Sequence, residues 1–255
     1  MNHDDFIVSE TGVVVWKKPG FHPLLKRTDL NHPDFIRKAH EHYGRGRVQC
    51  LPRICSENSE DACTWFYFSP LLHNVARKTW VVARLLREAF PGQVSNDVFA
   101  GLPTANLYFW QGRHTPTLLL PPPPSRNVPE GHSEVDVIVT IGSQAVVFVE
   151  AKYQADVAAN TTHDPCRDQV IRNMDVGSWF AKERFERFYF LIVQYGDHPS
   201  NAKDMVNHYL SCPDRIREKL PYRSDLTLQD LSVLSRSIGF VRWPDPMGWS
   251  HILNF

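Results

Sequence analysis

Two apolar runs joined by a short polar turn, "SEVDVIVTIGSQAVVFVEAKY" at 133–153, constrain this chain more than any other stretch. Both runs are rich in valine and fit β-strands, and "TIGSQA" reads as the turn of a hairpin. Both runs read as buried strands. Yet Glu134 and Asp136 open the first run, and Glu150 and Lys152 end the second. Ionised groups seldom enter such a strand unless they are paired or bind a metal.

Strand alternation turns this into geometry. Glu150 and Lys152 share a face with Val146 and Phe148, while Val147, Val149 and Ala151 take the other; Glu134 and Asp136 go with Ile138. A two-residue loop at Gly142-Ser143 sets Asp136 opposite Val149. A three-residue loop, 142–144, pairs Ile141 with Ala145 and brings Asp136 opposite Glu150. Two carboxylates that close repel unless a cation lies between them. Mg²⁺ or Mn²⁺ suits such a site, binding one or two carboxylates with water and substrate phosphate. Lys152 then stands where an ammonium orients the attacking water or stabilises charge on phosphate. Two carboxylates alone would suit glycoside hydrolysis, but that chemistry leaves the lysine without work. The plain structural alternative is an ion pair of Lys152 with Glu150 or Asp136 at a strand end.

These residues resemble the core motif of the PD-(D/E)XK nuclease superfamily, in which an acidic residue opens one strand of a hairpin and (D/E)-x-K ends the next. Asp136 matches the Asp, with Val135 where the family usually has Pro, and Glu150 and Lys152 match the rest. "NSEDACTWFYFSPL" resembles the preceding helix that often carries a further Glu, which makes Glu60 the counterpart and Glu88 the second choice. "RDQVIRN" supplies Gln169, with Arg167 and Arg172, where the family often shows a Gln or a basic residue. The resemblance spans about residues 56–195. It implies an α/β fold with a restriction-endonuclease-like core, a central mixed β-sheet flanked by α-helices. It also implies catalysis by Asp136, Glu150, Lys152, Glu60 and Gln169, with Asp136, Glu150, Glu60 and the carbonyl of Ala151 holding Mg²⁺, for which Mn²⁺ substitutes. The expected activity is a DNA nuclease, with RNA left open. The alternative on the same fold is a module without catalysis that binds nucleic acid or serves assembly.

The rest of the chain fits one domain over residues 1–255 around a single core. "HPDFIRKAHEHYG" reads as a short helix, and "SENSEDACTWFYFSP" as a helix capped by Asn58 or Ser59 and stopped near Pro70. "LLHNVARKTWVVARLLREAFPG" is amphipathic, with Leu72, Val75, Ala76, Val82, Ala83 and Leu86 on its apolar side. "ANLYFW" and "PTLLL" read as strands, "PPPPSRNVPEGH" as an extended loop, and Asp164-Pro165 as the start of the next helix. "RFYFLIVQYG" reads as a buried strand, followed by helices near 201–211 and 227–236 and a late strand "IGFVRW". Arg77, Lys78, Arg84 and Arg87 suit a solvated helix face better than a phosphate-binding one, and Trp65, Phe66, Tyr67 and Phe68 suit core better than base stacking.

Formal net charge is zero, so no overall field draws the chain to polyanions. Five cysteines without a C-x-x-C pair disfavour a disulfide framework or zinc ribbon, and Cys50, Cys55 and Cys63 with His40 and His42 match no common metal spacing. The acidic opening "MNHDDFIVSETG" lacks a signal-peptide layout, and no apolar run is long enough to span a bilayer. A cytoplasmic location with free thiols and no membrane partner is expected, with a homodimer left open.

Overall fold

The computed structural model describes residues 5–8, 12–41, 53–113, 132–161 and 167–245. Its elements in chain order begin with a small antiparallel ribbon, β1 (Phe6–Val8) and β2 (Val14–Trp16), followed by α1 (Pro33–Glu41), α2 (Glu60–Phe68), α3 (Val75–Ala89) and α4 (Asn96–Gly101). Strands β3 (Asn106–Arg113), β4 (Ser133–Ile141) and β5 (Ala145–Tyr153) come next, then α5 (Gln169–Ala181) and β6 (Arg187–Tyr195). Helices α6 (Ala202–Ser211), α7 (Asp214–Lys219) and α8 (Leu228–Arg236) lead to β7 (Ile238–Trp243).

The main sheet has the order β3-β4-β5-β6-β7. Its first three strands form an antiparallel meander, and β6 and β7 join parallel to β5. Both parallel steps move in the same direction across the sheet. Right-handed crossovers therefore place α5 and the α6–α8 group on one face. Val170, Ile171 and Met174 of α5, Val206 of α6, Ile216 of α7 and Leu234 of α8 share one buried core there with Val146 and Phe148 of β5. The opposite face carries Val147, Val149 and Ala151, covered by Phe35 of α1, Trp65 and Phe68 of α2, and Val82 and Leu86 of α3. Every residue of β5 is buried, which is why its sequence shows no polar alternation.

The β4–β5 turn comprises residues 142–144, with Gly142 at a φ of 52° and the Gln144 amide donating to the Ile141 carbonyl at 3.0 Å. Ile141 pairs with Ala145 and Val137 with Val149. The longer of the two loops therefore operates, and Asp136 lies opposite Glu150 just beyond the last ladder pair. A second glycine fixes a helix: a Cβ on Gly177 of α5 would lie 2.2 Å from the Phe188 ring, so α5 can ride this close to the sheet only with glycine at that position.

Ser59 caps α2, its hydroxyl accepting from the Ala62 amide at 3.1 Å, and α2 ends at Phe68 ahead of Pro70. Trp65 and Phe68 are core. In α3, Val82, Ala83 and Leu86 are buried, but Val75 is 55% exposed, because Asn74 caps the helix and its first turn stands in solvent. Lys78 of the same helix is spent on the Ala105 carbonyl. The cap of α5 is Asp168, accepting from the Ile171 amide at 2.9 Å; Asp164 and Pro165, the expected start, lie outside the described residues, as do "PTLLL", most of the proline-rich loop, Cys50 and His42. Cys55 and Cys63 are buried free thiols. Among the described residues, no helix is long and apolar enough to cross a membrane.

Candidate functional site

The acidic residues meet where the β4–β5 ladder ends. Asp136 is partly exposed, and its Oδ2 accepts the Ala151 amide at 2.8 Å, a bond taking the place of the next ladder pair. The N–H and C=O of one strand residue point to the same side, so the Ala151 carbonyl also faces the β4 edge beyond the ladder. Burial first, and the Glu150 charge second, push the Asp136 carboxyl well above the usual carboxylate range.

Glu150 is only 6% exposed and held on every side. Its Oε1 accepts from Lys152 Nζ at 2.9 Å and from Gln169 Nε2, and its Oε2 accepts from Asn173 Nδ2 at 3.0 Å. Gln169 and Asn173 sit four apart on α5, one turn of one face, so a single helix grips the carboxylate twice. Asn173 is fixed in turn by the Ser133 hydroxyl, 3.2 Å from its Oδ1. Arg167, in contrast, is turned away, 2.8 Å from Asp175 in a separate buried cluster.

Lys152 lies between two carboxylates, 2.9 Å from Glu150 Oε1 and 3.7 Å from Glu60 Oε2. Burial works against its charge, but Glu150, Glu60 and Asp136 outweigh it and keep the ammonium protonated above its ordinary range. Glu60, in the first turn of α2, also accepts the Tyr153 amide at 3.0 Å. Burial raises its pKa, against the opposing pull of Lys152 and that amide. Lys152 thus binds Glu150 and Glu60 and does not bridge Glu150 to Asp136. Glu88, the second choice for the helical acid, stands apart at the far end of α3, 3.9 Å from Arg84.

The sequence did not single out a second lysine. Lys38 of α1 is 4% exposed, bonds Glu134, lies 3.5 Å from Asp61 Oδ1 and sits 5.6 Å from the Trp110 ring centre. Trp110 occupies the β3 position opposite Asp136, with a φ of 48° and no ladder pair. Arg37 holds that distorted stretch by donating to the Phe109 carbonyl at 3.0 Å and the Trp110 carbonyl at 3.2 Å. Among the described residues the other non-glycine positive φ is 55° at Gln154, two past Lys152. Strained backbone flanks both sides of the acidic cluster, a pattern common at functional sites.

No match is found. Comparisons with known protein families, with curated proteins and with solved structures each return nothing similar to this chain.

Chemically, five carboxylates (Glu60, Asp61, Glu134, Asp136 and Glu150) surround two ammonium groups, Lys38 and Lys152. Among the described residues, no three His, Cys, Asp or Glu side chains already converge as a ligand set. The donors at the ladder end are Asp136, Glu150 and the Ala151 carbonyl. All are hard oxygens, the type Mg²⁺ takes when protein supplies only part of its shell.

Proposed function

We propose that this chain is a metal-dependent phosphodiesterase acting on nucleic acid, DNA first, through a site of the PD-(D/E)XK type. One observation carries the reading: Asp136 faces Glu150 across the end of an antiparallel ladder, with Lys152 Nζ 2.9 Å from Glu150. Burial first, and the nearby Glu150 charge second, raise the Asp136 pKa, so the site holds two carboxylates at a cost that a bound cation would relieve.

The donor set fits a hard divalent cation held by Asp136, Glu150 and the Ala151 carbonyl. Bound there, Mg²⁺ or Mn²⁺ supplies charge neutralisation at the phosphate and a more acidic water. Gln169 and Asn173 fix the rotamer of Glu150. Lys152, kept cationic by Glu150 and Glu60, places an ammonium beside the phosphate oxygens or the attacking water. Glu60 contributes chiefly by holding Lys152, since its own contacts are with Lys152 and the Tyr153 amide.

The Lys152–Glu150 pair also favours a second reading, a module without catalysis in which the two simply neutralise one another at a strand end. Cleavage of single- and double-stranded DNA and RNA with Mg²⁺ or Mn²⁺, beside an Asp136→Asn control, decides between them. Metal-dependent cleavage lost in the control supports the enzyme. Nucleic-acid binding without metal binding or cleavage of any substrate supports the second reading.

A further inference from the structure

A cavity of about 540 Å³ opens at the far end of α5 from Gln169, between that helix and the end of β3. Arg113, Trp179, Phe180, Lys182, Glu183 and Arg184 line it. Arg113 and Arg184 each place their guanidinium carbon 4.7 Å from the centre of the Phe180 ring. One aromatic ring thus holds two like charges together. Glu183 is at hand but forms no ion pair with either arginine, and Lys182 is spent on Asp225 at 3.0 Å. Among the described residues, Arg113 donates only to the neighbouring Gly112 carbonyl at 2.9 Å, and its Nε is buried without a partner. Burial and the charge of Arg184 both weaken its hold on its proton.

Two guanidinium groups beside one ring, neither ion-paired to Glu183, favour an anion, and phosphate has oxygens enough to take donors from both. The position adds to this. Arg113 pairs in the ladder with Ser133, three residues before Asp136, so the cavity lies about 10 Å from the acidic cluster along β4. Ser133 also bonds Asn173, which holds Glu150, so cavity and cluster are rigidly connected.

We infer that the Arg113–Arg184 cavity binds a backbone phosphate of a nucleic-acid strand, close along that strand to the one that reaches Asp136 and Glu150. The inference rests on the phosphodiesterase reading for the course of the strand, but its test involves neither metal nor turnover. Binding of a fluorescent single-stranded DNA 12-mer is measured by anisotropy in EDTA over a range of salt. Arg184 is exposed, so its replacement leaves the core untouched. Arg184→Ala should weaken binding about 5- to 20-fold and lower the slope of log K against log salt by about 0.7, the loss of one phosphate contact on a single strand. Arg184→Glu should weaken it further, while Arg236→Ala, at an exposed arginine of α8, should stay within about two-fold. The site is overturned if both Arg184 variants bind within two-fold of the unaltered protein, or if inorganic phosphate alone binds as tightly as the 12-mer. A chain that binds here and never cleaves keeps this site and loses the nuclease reading. Cleavage with undisturbed binding in the Arg184 variants does the reverse.

Discussion

Asp136 accepts the backbone amide of Ala151 at 2.8 Å, so the carboxylate replaces a strand partner at the point where β4 and β5 stop pairing. An Asn side chain accepts the same bond without the charge. This makes Asp136→Asn a clean probe of whether the charge is there for stability or for binding.

The sign follows from the raised pKa. Protonated Asp136 suits the folded chain better than ionised Asp136, so its contribution is full below the unfolded value near 3.8 and is lost as pH rises through the higher folded value. In EDTA at neutral pH, Asp136→Asn should therefore melt higher than the unaltered chain by about 2–4 °C, which is what 1 kcal/mol is worth at this size. The difference should shrink as pH falls toward 4. Adding Mn²⁺ should raise the Tm of the unaltered chain and not that of the variant. A lower Tm for the variant in EDTA would mean that the charge stabilises the fold.

Lys152→Ala should do two things at once. Removing one partner of a buried ion pair costs on the order of 3–5 kcal/mol, so the variant should melt lower. Measured well below its Tm, single-turnover cleavage should fall about 10²–10³-fold with Mn²⁺ affinity kept within a few-fold. Near-normal cleavage by the folded variant would remove Lys152 from the chemistry and leave it a structural partner.

Asn173→Ala should loosen Glu150 without touching its charge. The buried Oε2 loses its donor, a cost of about 1–3 kcal/mol. Mn²⁺ should bind more weakly, by about ten-fold, because the carboxylate is no longer held. Metal titration by calorimetry checks this, and unchanged affinity would show that Gln169 and Lys152 suffice.

Asp175 offers a control elsewhere on α5. It is fully buried, 2.8 Å from Arg167 and 2.6 Å from Arg223, and accepts from the Tyr222 hydroxyl. Asp175→Ala should cost about 3–5 kcal/mol by removing the buried carboxylate that Arg167 and Arg223 share. Denaturant unfolding measures the loss, and cleavage per folded molecule at low temperature should stay within a few-fold.

Strand alternation was enough to narrow the register to two loops and to show that one of them faces Asp136 with Glu150. It could not choose between them, because Gly142-Ser143-Gln144 serves either turn. Glu60 was singled out only by the resemblance of its helix start to the family's helical acid; its place beside a capping serine alone reads as a first-turn acid favoured by the helix dipole. Lys38 was not: it meets Glu134 across 96 positions of sequence, and an isolated lysine in "DFIRKAHE" reads as solvated. Asn173 had a faint signal, an amide one turn after Gln169 on a helix otherwise apolar at Val170, Ile171 and Met174. Helices α4 and α7 span six residues each, too short for periodicity to mark. The exposed start of α3 misled because Val75 belongs to the cap turn and not to the buried stripe.

The missing side chain at Gly177 has a mechanical consequence. One turn separates it from Asn173 and two from Gln169, yet it sets the height at which the helix lies over β5 and β6. A methyl group added there would act as a shim under a lever, lifting α5 off Phe188 and drawing both amides away from Glu150 together. The acidic cluster is therefore tuned from a position that touches none of its members.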